Sequence, residues 1–417
     1  MFRKGKRKVM RFIHTADIHL GHPFLGLQNV PEKLATLIAN ATTTSFSKMI
    51  DLAIAEKIDF ICISGDLFDS QNQSIHLLDF LITQFNRLAA ENIMVYLSYG
   101  NHDYQPQQNA GVSWPSNVRE FDNSVKTYYQ SLPDGKTVAI TGFSYGQQHV
   151  KTEVINQFPL KQTQRCDFQI GMYHGGIDGA NGNYAPFKVS ELLTKGYDYW
   201  ALGHIHQRQI LNEVPFVGYV GSLQGQNSKE TGAKGFYLVE EENGKLVPYF
   251  EETTSILWRT ALVKLPQTVT QRELLNNLYT NLVTNNQHSW QIINIELDMT
   301  LTDTLLLRLN DGTTTLQLNE ILQQNNQYLW INNISYVHEE QGARLPELDE
   351  QFWLATAKTV FNFENIHQVA LKKIPELFIA EYFEQEAVQT KLKKQALELM
   401  QQELADVGSD MDEDNTD

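Results

Sequence analysis

Five short polar motifs constrain this chain of 417 residues most strongly, because each one follows an apolar, strand-like run. The motifs are Asp17-Ile-His19, Gly65-Asp66-Leu-Phe-Asp69, Gly100-Asn101-His102-Asp103, His174-Gly-Gly and Gly203-His204-Ile-His206. In open α/β sheets, sites assemble at the carboxyl ends of the strands, so these side chains are expected to meet. Any one motif alone could be an ordinary turn, since Asp, Asn and Gly favour turns. Their joint occurrence at successive strand ends instead predicts one shared site.

Apolar spacing over roughly the first 240 residues alternates between strand-like and helix-like patterns. Strands are predicted at 11–15, 59–64, 92–98, 138–141, 168–173 and 199–202. Helices are predicted from the apolar spacing across Phe46–Ile58 and Leu77–Leu88, with Ser74 as the N-cap of the second. Several strands are apolar throughout and need cover on both faces, which predicts an α/β fold.

The pattern changes beyond a hairpin turn predicted at Glu240–Lys245. A small α+β unit follows, with strands predicted at 261–265, 290–297 and 305–307 and a helix at 270–284. Apolar stripes beyond Leu345 predict helices, and the acidic end is typical of a disordered tail. The predicted domains are the α/β core at 10–250, a cap at 258–340, a helical region at 345–405 and the tail at 406–417.

Composition narrows the class of protein. No stretch approaches about eighteen uncharged apolar residues, so no membrane span or membrane contact is expected. The basic N-terminus has no apolar segment after it, so a secretory signal is not expected. Cys62 and Cys166 lie in strand-like runs, which is typical of reduced cysteines, so a cytoplasmic location is predicted. The net charge of −16 disfavours nucleic acid, but bound divalent metals would add positive charge that this count omits.

The residue types in the motifs suit metal binding. Asp, His and Asn are ligands for Mn, Fe or Zn, and a two-metal site needs one carboxylate that bridges the ions. The motifs resemble those of the calcineurin-like metallophosphoesterase superfamily. Within it, His14-Thr-Ala-Asp17-Ile-His19-Leu-Gly21 resembles the opening of SbcD-type DNA repair exonucleases, and Gly221-Ser222-Leu223 with Glu230-Thr-Gly-Ala-Lys234-Gly235 is similar to their YhaO-like branch. The resemblance is strong over residues 10 to 240 and elsewhere rests on layout.

This resemblance implies a four-layer sandwich of two β-sheets flanked by helices, with a small α+β cap, a helical C-terminus and two divalent metal ions. Mn is the expected metal, with Fe or Zn as alternatives. One ion would be held by Asp17, His19, Asp66 and His206, and the other by Asp66, Asn101, His174 and His204, with Asp66 as the bridge. His102 would stabilise developing charge or protonate the leaving oxygen, and Asp103 would orient its ring.

One position departs from the family pattern. Many archaeal and eukaryotic members carry a second active-site His three residues after the bridging Asp, where this chain has Asp69. A role of that His in exonuclease action therefore does not transfer, and Asp69 could instead hydrogen-bond a histidine ligand. His22 could touch substrate, with a solvated loop residue as the alternative.

The function implied by the resemblance is metal-dependent exonuclease or endonuclease cleavage of DNA in repair. Because the superfamily shares its metal site, a phosphodiesterase or phosphatase acting on a small-molecule or protein substrate is the alternative, and a scaffold for an ATPase is a second. The implied partners are DNA and an SbcC-type coiled-coil ATPase. The ATPase would dock on the helices beyond Leu345, unless these helices only cover the cap. A homodimer is also considered.

Overall fold

The computed structural model describes residues 9–336 and Val388, apart from residues 25, 28, 71–73, 106–112, 178–182, 266–268, 284–288 and 300–301. The helical region predicted at 345–405 and the tail predicted at 406–417 therefore lie outside the described residues, with the exception of helical Val388. In the part of the chain that the structure describes, no helix combines the length and the apolar character needed to cross a membrane.

The α/β part of the chain contains strands β1 to β12 and helices α1 to α3. The strands are β1 Arg11–Thr15, β2 Phe60–Ser64, β3 Met94–Ser98, β4 Val118–Glu120, β5 Lys126–Ser131, β6 Thr137–Gly142, β7 Phe168–His174, β8 Tyr199–Gly203, β9 Gln209–Asn212, β10 Phe216–Tyr219, β11 Gly235–Glu242 and β12 Lys245–Glu252. The helices are α1 Glu32–Ala55, α2 Ile75–Ala90 and α3 Val189–Thr194.

These strands form two six-stranded mixed sheets, ordered β12-β11-β1-β2-β3-β4 and β5-β6-β7-β8-β10-β9. Alternate side chains of the first sheet serve different layers. Phe12 and Phe60 are buried in a core shared with the second sheet, whereas Ile13 and Ile61 are buried in a core shared with α1 and α2. Leu192 of α3 is buried with residues of the second sheet. The predicted sandwich of two sheets flanked by helices is confirmed.

Helix α1 is longer than its apolar spacing indicates. It begins at Glu32, well before the predicted pattern starts at Phe46, and it ends at Ala55, so that Ile58 lies outside the helix. The apolar residues that its first half buries are Leu34 and Ala41, so the apolar periodicity there is weak.

The cap contains β13 Leu257–Lys264, α4 Gln271–Val283, β14 Gln291–Asp298, α5 Asp303–Asn310, α6 Thr313–Gln324 and β15 Leu329–Tyr336. Its three strands pair in parallel in the order β13-β14-β15. The strand predicted at 305–307 is wrong, because these residues lie in α5. The Thr302 side chain caps this helix by accepting from the Leu305 N–H, and Leu305 and Leu309 are buried one helical turn apart.

Candidate metal centre

The motifs meet where strands of both sheets end. Asp17, Asp66 and Asn101 follow β1, β2 and β3, while His174 ends β7 and His204 follows β8. Backbone groups join the loops, because the His204 N–H donates to the Asp17 carboxylate at 2.9 Å and the His102 N–H donates to Asp66 Oδ1 at 3.0 Å. The residues predicted as ligands are therefore gathered from both sheets into one place.

A first cluster able to hold a metal consists of Asp17, His19 and His206, whose ligand atoms all lie within 4.8 Å of one another. The two imidazoles face each other, with 3.0 Å between His19 Nε2 and His206 Nε2. Asp66 Oδ2 lies 3.7 Å from His19 Nε2, so the bridging residue predicted from the sequence borders this cluster.

A second cluster consists of Asp17, Asp66 and His174, again within 4.8 Å. His174 Nε2 lies 3.3 Å from Asp66 Oδ2 and 3.1 Å from Asn101 Oδ1. His204 Nδ1 lies 3.1 Å from the same Asn101 oxygen. Asp66 Oδ2 thus lies between histidines of both clusters, which is the position that a bridging ligand requires.

Hydrogen-bond chemistry tests whether these residues fit a metal ion. His174 Nδ1 lies 3.0 Å from the Ser64 carbonyl oxygen, so Nδ1 carries a proton. Although burial lowers the pKa of His174, the charge of Asp66 raises it to about 9, so Nε2 is protonated as well when no metal is bound. A bound metal would replace the proton on Nε2, and the Nε2 lone pair would then face the oxygens of Asp66 and Asn101, which are acceptors as well. Donor atoms about 3 Å apart have the spacing of two neighbouring ligands that each lie about 2.1 Å from one metal ion. The donor set therefore fits a divalent metal.

Glycines leave the space that the ligands occupy. A Cβ atom on Gly65 would lie 2.1 Å from His174 Nδ1, and one on Gly100 would lie 2.2 Å from Asp66 Oδ1. Three of the predicted ligands also have left-handed backbone, with φ of 49° at Asp17, 48° at His19 and 51° at Asp66. Such strain clusters at functional sites, where the surrounding structure holds it in place.

Burial shapes the electrostatics of the centre. It raises the pKa of Asp17, because a charged carboxylate loses its water there. Burial acts in the same sense on Asp66, but the imidazole of His174 outweighs it and holds the pKa of Asp66 well below its usual range. Burial, then the charge of His174, lowers the pKa of His204 to about 3, which keeps His204 neutral, the form that binds metals.

His102 lies beside the clusters with 44% of its side chain exposed. Its Nδ1 is 3.2 Å from the backbone oxygen of Asp69, and its ring centroid is 4.7 Å from that of His19. Among the described residues, Asp103 makes no hydrogen bond to this ring, the contact that was predicted to orient it. Its buried carboxylate instead accepts from the N–H groups of Gly100, Leu67 and Phe68, at 2.7, 2.8 and 3.2 Å, because a carboxylate without water needs donors close by.

Asp69 and His22 pair with each other. Asp69 Oδ1 lies 2.7 Å from His22 Nδ1, but 3.6 Å from the buried Nδ1 of His19, which is outside hydrogen-bond distance. Asp69 was expected to be able to hydrogen-bond a histidine ligand, but its hydrogen bond is with His22 and not with His19. The imidazoles of His19 and His22 lower the pKa of Asp69 to about 2. His19, Asp69 and His102 also form a third cluster within 4.8 Å.

Two neighbours of the centre were not given roles from the sequence. Glu230 Oε1 lies 3.0 Å from His206 Nδ1, and the ring of Tyr184 lies 4.7 Å from that of His204. The one signal for Glu230 in the sequence was that it belongs to a segment similar to the YhaO-like branch. No motif near Tyr184 indicates that it lies at the centre.

Comparison with known proteins agrees with this geometry. Residues 10–208 match the family model of the calcineurin-like phosphoesterases. This part of the chain is a calcineurin-like metallophosphoesterase domain, of a superfamily of hydrolases with dinuclear metal sites, and the resemblance predicted from the motifs is confirmed.

Relatives extend the match beyond that domain. The chain is 39% identical over 262 residues to "Uncharacterized metallophosphoesterase YhaO" of Bacillus subtilis, covering 62% of this chain and 64% of that protein. It is 25% identical to "DNA double-strand break repair protein Mre11" of Methanopyrus kandleri, covering 61% and 58%. It is 26% identical to the SbcD component of the nuclease SbcCD of Staphylococcus epidermidis, covering 57% and 68%. The chain thus spans less than two thirds of the first two relatives, and all three are consistent with the SbcD-type branch.

Proposed function

We propose that the chain is a nuclease that depends on two metal ions and hydrolyses DNA phosphodiester bonds in repair. The observation that carries the chemistry is the position of Asp66 Oδ2, 3.3 Å from His174 Nε2 and 3.7 Å from His19 Nε2. DNA as substrate is supported by relatives whose names state DNA double-strand break repair and nuclease. An exonuclease or endonuclease is the finer form of this proposal.

We assign one ion to Asp17, His19, Asp66 and His206, and the other to Asp66, Asn101, His174 and His204. Mn is the proposed metal, with Fe or Zn as alternatives for the same nitrogen and oxygen donors. Two such ions, when bound, lower the pKa of a water to make a nucleophile and neutralise phosphate oxygens. The side chains of the protein supply the nitrogen and oxygen donors, and the glycines of the loops leave room for them.

His102 is the residue proposed to act on the substrate. Its Nδ1 faces the Asp69 backbone oxygen at 3.2 Å and so carries a proton there. With a second proton on Nε2, the exposed imidazolium could stabilise charge on the phosphate or donate that proton to the leaving oxygen.

The test is digestion of linear DNA beside hydrolysis of bis-p-nitrophenyl phosphate, each with Mn²⁺ and with chelator. We expect both substrates to be cleaved only with metal. Asp66→Asn should abolish both, because it removes the charge that we propose bridges the two ions, and this variant also excludes a contaminating nuclease. Cleavage of the small phosphodiester with DNA left intact would favour the alternative, a phosphodiesterase or phosphatase. Activity insensitive to chelator would refute the metal centre.

The remaining proposals concern the whole chain. We propose the domain boundaries predicted above, a cytoplasmic location in line with two buried free cysteines, and an SbcC-type coiled-coil ATPase that docks on residues 345–405. Deleting residues 345–417 should abolish co-purification with such an ATPase while hydrolysis of the small phosphodiester persists. Retained binding would contradict the docking site.

A further inference from the structure

The carboxylate of Glu230 is buried directly behind His206, with 5% of the residue exposed. Its Oε1 lies 3.0 Å from His206 Nδ1 and accepts from the Asn227 amide at 2.6 Å. Its Oε2 accepts from the Ser222 hydroxyl at 2.9 Å. Both oxygens are therefore satisfied, as a buried carboxylate requires.

This contact decides which nitrogen of His206 faces the metal centre. An ionised carboxylate only accepts hydrogen bonds, so the proton of a neutral His206 must be on Nδ1 and the lone pair on Nε2. That Nε2 is the atom 3.0 Å from His19 Nε2 in the first cluster. Glu230 thus sets both the tautomer and the ring orientation that a metal ligand needs.

The backbone of His206 is held by the same stretch of chain, which lies between β10 and β11. The buried ammonium of Lys234 donates to the His206 carbonyl oxygen at 2.8 Å, and the Ser222 N–H donates to it at 3.2 Å. Residues 222–234 contribute none of the proposed ligands, yet they fix His206 at its ring and at its backbone, and the Gln226 amide donates to the His19 carbonyl oxygen at 3.1 Å.

We propose that Glu230 is a positioning residue of the metal centre, which holds His206 with Nε2 turned toward one of the two ions. The inference rests on the proposed metal assignment, but not on DNA as the substrate. Carboxylates that support a histidine ligand in this way typically contribute a factor of roughly 10–100 in metal affinity. The loss should fall on one ion, because the contact reaches only His206 among the ligands.

The test is titration of the chelator-stripped full chain with Mn²⁺ by calorimetry, in the absence of DNA. The variants are Glu230→Leu, which removes the acceptor, and Glu230→Gln, whose amide oxygen still accepts from Nδ1. The matched control is Glu241→Gln, because Glu241 is also buried, at 8% exposure, but its carboxylate pairs with Lys136.

We expect two ions in the wild type and in the control, one ion weakened roughly 10–100-fold in Glu230→Leu, and a smaller loss in Glu230→Gln. The metal-free variants should unfold at temperatures close to that of the metal-free wild type. Wild-type affinity for both ions in either variant would overturn the inference, as would equal weakening of both ions together with a lower unfolding temperature. If Glu230→Leu does not fold, Glu230→Gln decides by the same criteria. A wild type that binds no Mn²⁺ overturns the metal centre and this inference together, whereas failure to cut DNA counts only against the proposed nuclease function.

Discussion

His102 is more exposed than the histidines proposed as ligands, of which His206 has 33% of its side chain exposed. His19 and His174 are buried among carboxylates, whereas 44% of the His102 side chain is open to solvent at the edge of the clusters. A ligand must lose its water to the metal, but a group that acts on the substrate must stay reachable. The exposure therefore supports separate roles for His102 and the buried histidines.

His102→Ala should lower kcat for the small phosphodiester by roughly 10² to 10⁴, while metal content stays near that of the wild type. His22→Ala serves as the comparison, because His22 lies in the same region but pairs with Asp69, and we expect a much smaller loss. Steady-state kinetics with elemental analysis of both variants checks this. Loss of metal from His102→Ala would make His102 a ligand and overturn its assignment.

At the residue scale, the sequence predicts which side chains gather but not how their outer partners pair. The predicted ligands follow strands, and parallel strands bring their carboxyl ends to one edge, so it could be predicted that these side chains would meet. The partners of Asp103 and Asp69 depend on how loops pack. Asp103 binds the Leu67 N–H from 36 positions away, and Asp69 binds His22 from 47 positions away. No spacing rule encodes such contacts.

At the element scale, burial explains part of which strands were predicted, although β10 is buried throughout and was not predicted. All residues of β7 and β8 are buried, and both strands appear in the sequence as apolar runs. Strands β5 and β9 lie at the two edges of the second sheet and are largely exposed, so they left no apolar pattern and were not predicted. The short run in α5 has too few residues to show a helical period.

The turn after β2 depends on the absence of a side chain at Gly65. Gly65→Ala and Gly135→Ala both place Ala at similar backbone angles, φ of 89° and 90°, and each should cost roughly 1–2 kcal/mol of stability. Only at Gly65 would the Cβ meet the His174 ring, since nothing lies within 4 Å of a Cβ at Gly135. We therefore expect loss of metal and activity in Gly65→Ala alone, by thermal unfolding and elemental analysis. Normal metal content in Gly65→Ala would contradict this.

His14 of β1 links the two sheets, with Nδ1 3.0 Å from the Tyr199 hydroxyl and Nε2 3.1 Å from the Leu202 carbonyl oxygen. Burial lowers the pKa of His14 from 6.5 to about 3, although the bond to Leu202 opposes this. The folded state therefore favours neutral His14, and its contribution to stability is full above pH 6.5 and is lost as the pH falls toward 3.

As the pH falls from 6.5 to 4.5, the titration of His14 should lower the free energy of unfolding of the wild type by about 1.4 kcal/mol per pH unit. The His14→Leu variant lacks this titrating group, so the difference in free energy of unfolding between the two proteins should shrink as the pH falls. Urea unfolding with chelator present checks this, because the chelator keeps metal release out of the comparison. Parallel pH profiles would show that His14 does not titrate on unfolding.

At the scale of the whole molecule, the cap is joined to the segment that follows the first motif. Trp258, Trp290 and Trp330 of the cap are buried together with Leu34 of α1. The ring of Phe24 stacks on Trp258 with 6.2 Å between the centroids. Because Phe24 lies five positions after His19, this packing joins the cap to the segment that carries two of the proposed ligands, Asp17 and His19.

DNA binding should depend on both metal and salt, because a chain with a net charge of −16 repels phosphate except where bound cations and local basic side chains reverse the sign. A surface that contacts about six phosphates loses roughly 10³ in affinity between about 50 and 200 mM salt. Fluorescence anisotropy of a labelled duplex with Ca²⁺, chosen to limit cleavage, should show this fall, and chelator should weaken binding at every salt concentration. Asp66→Asn should behave as the chelated wild type does. DNA as the substrate would be refuted if DNA binding changed with neither salt nor chelator. It would also be refuted if the protein hydrolysed small phosphodiesters efficiently without binding DNA.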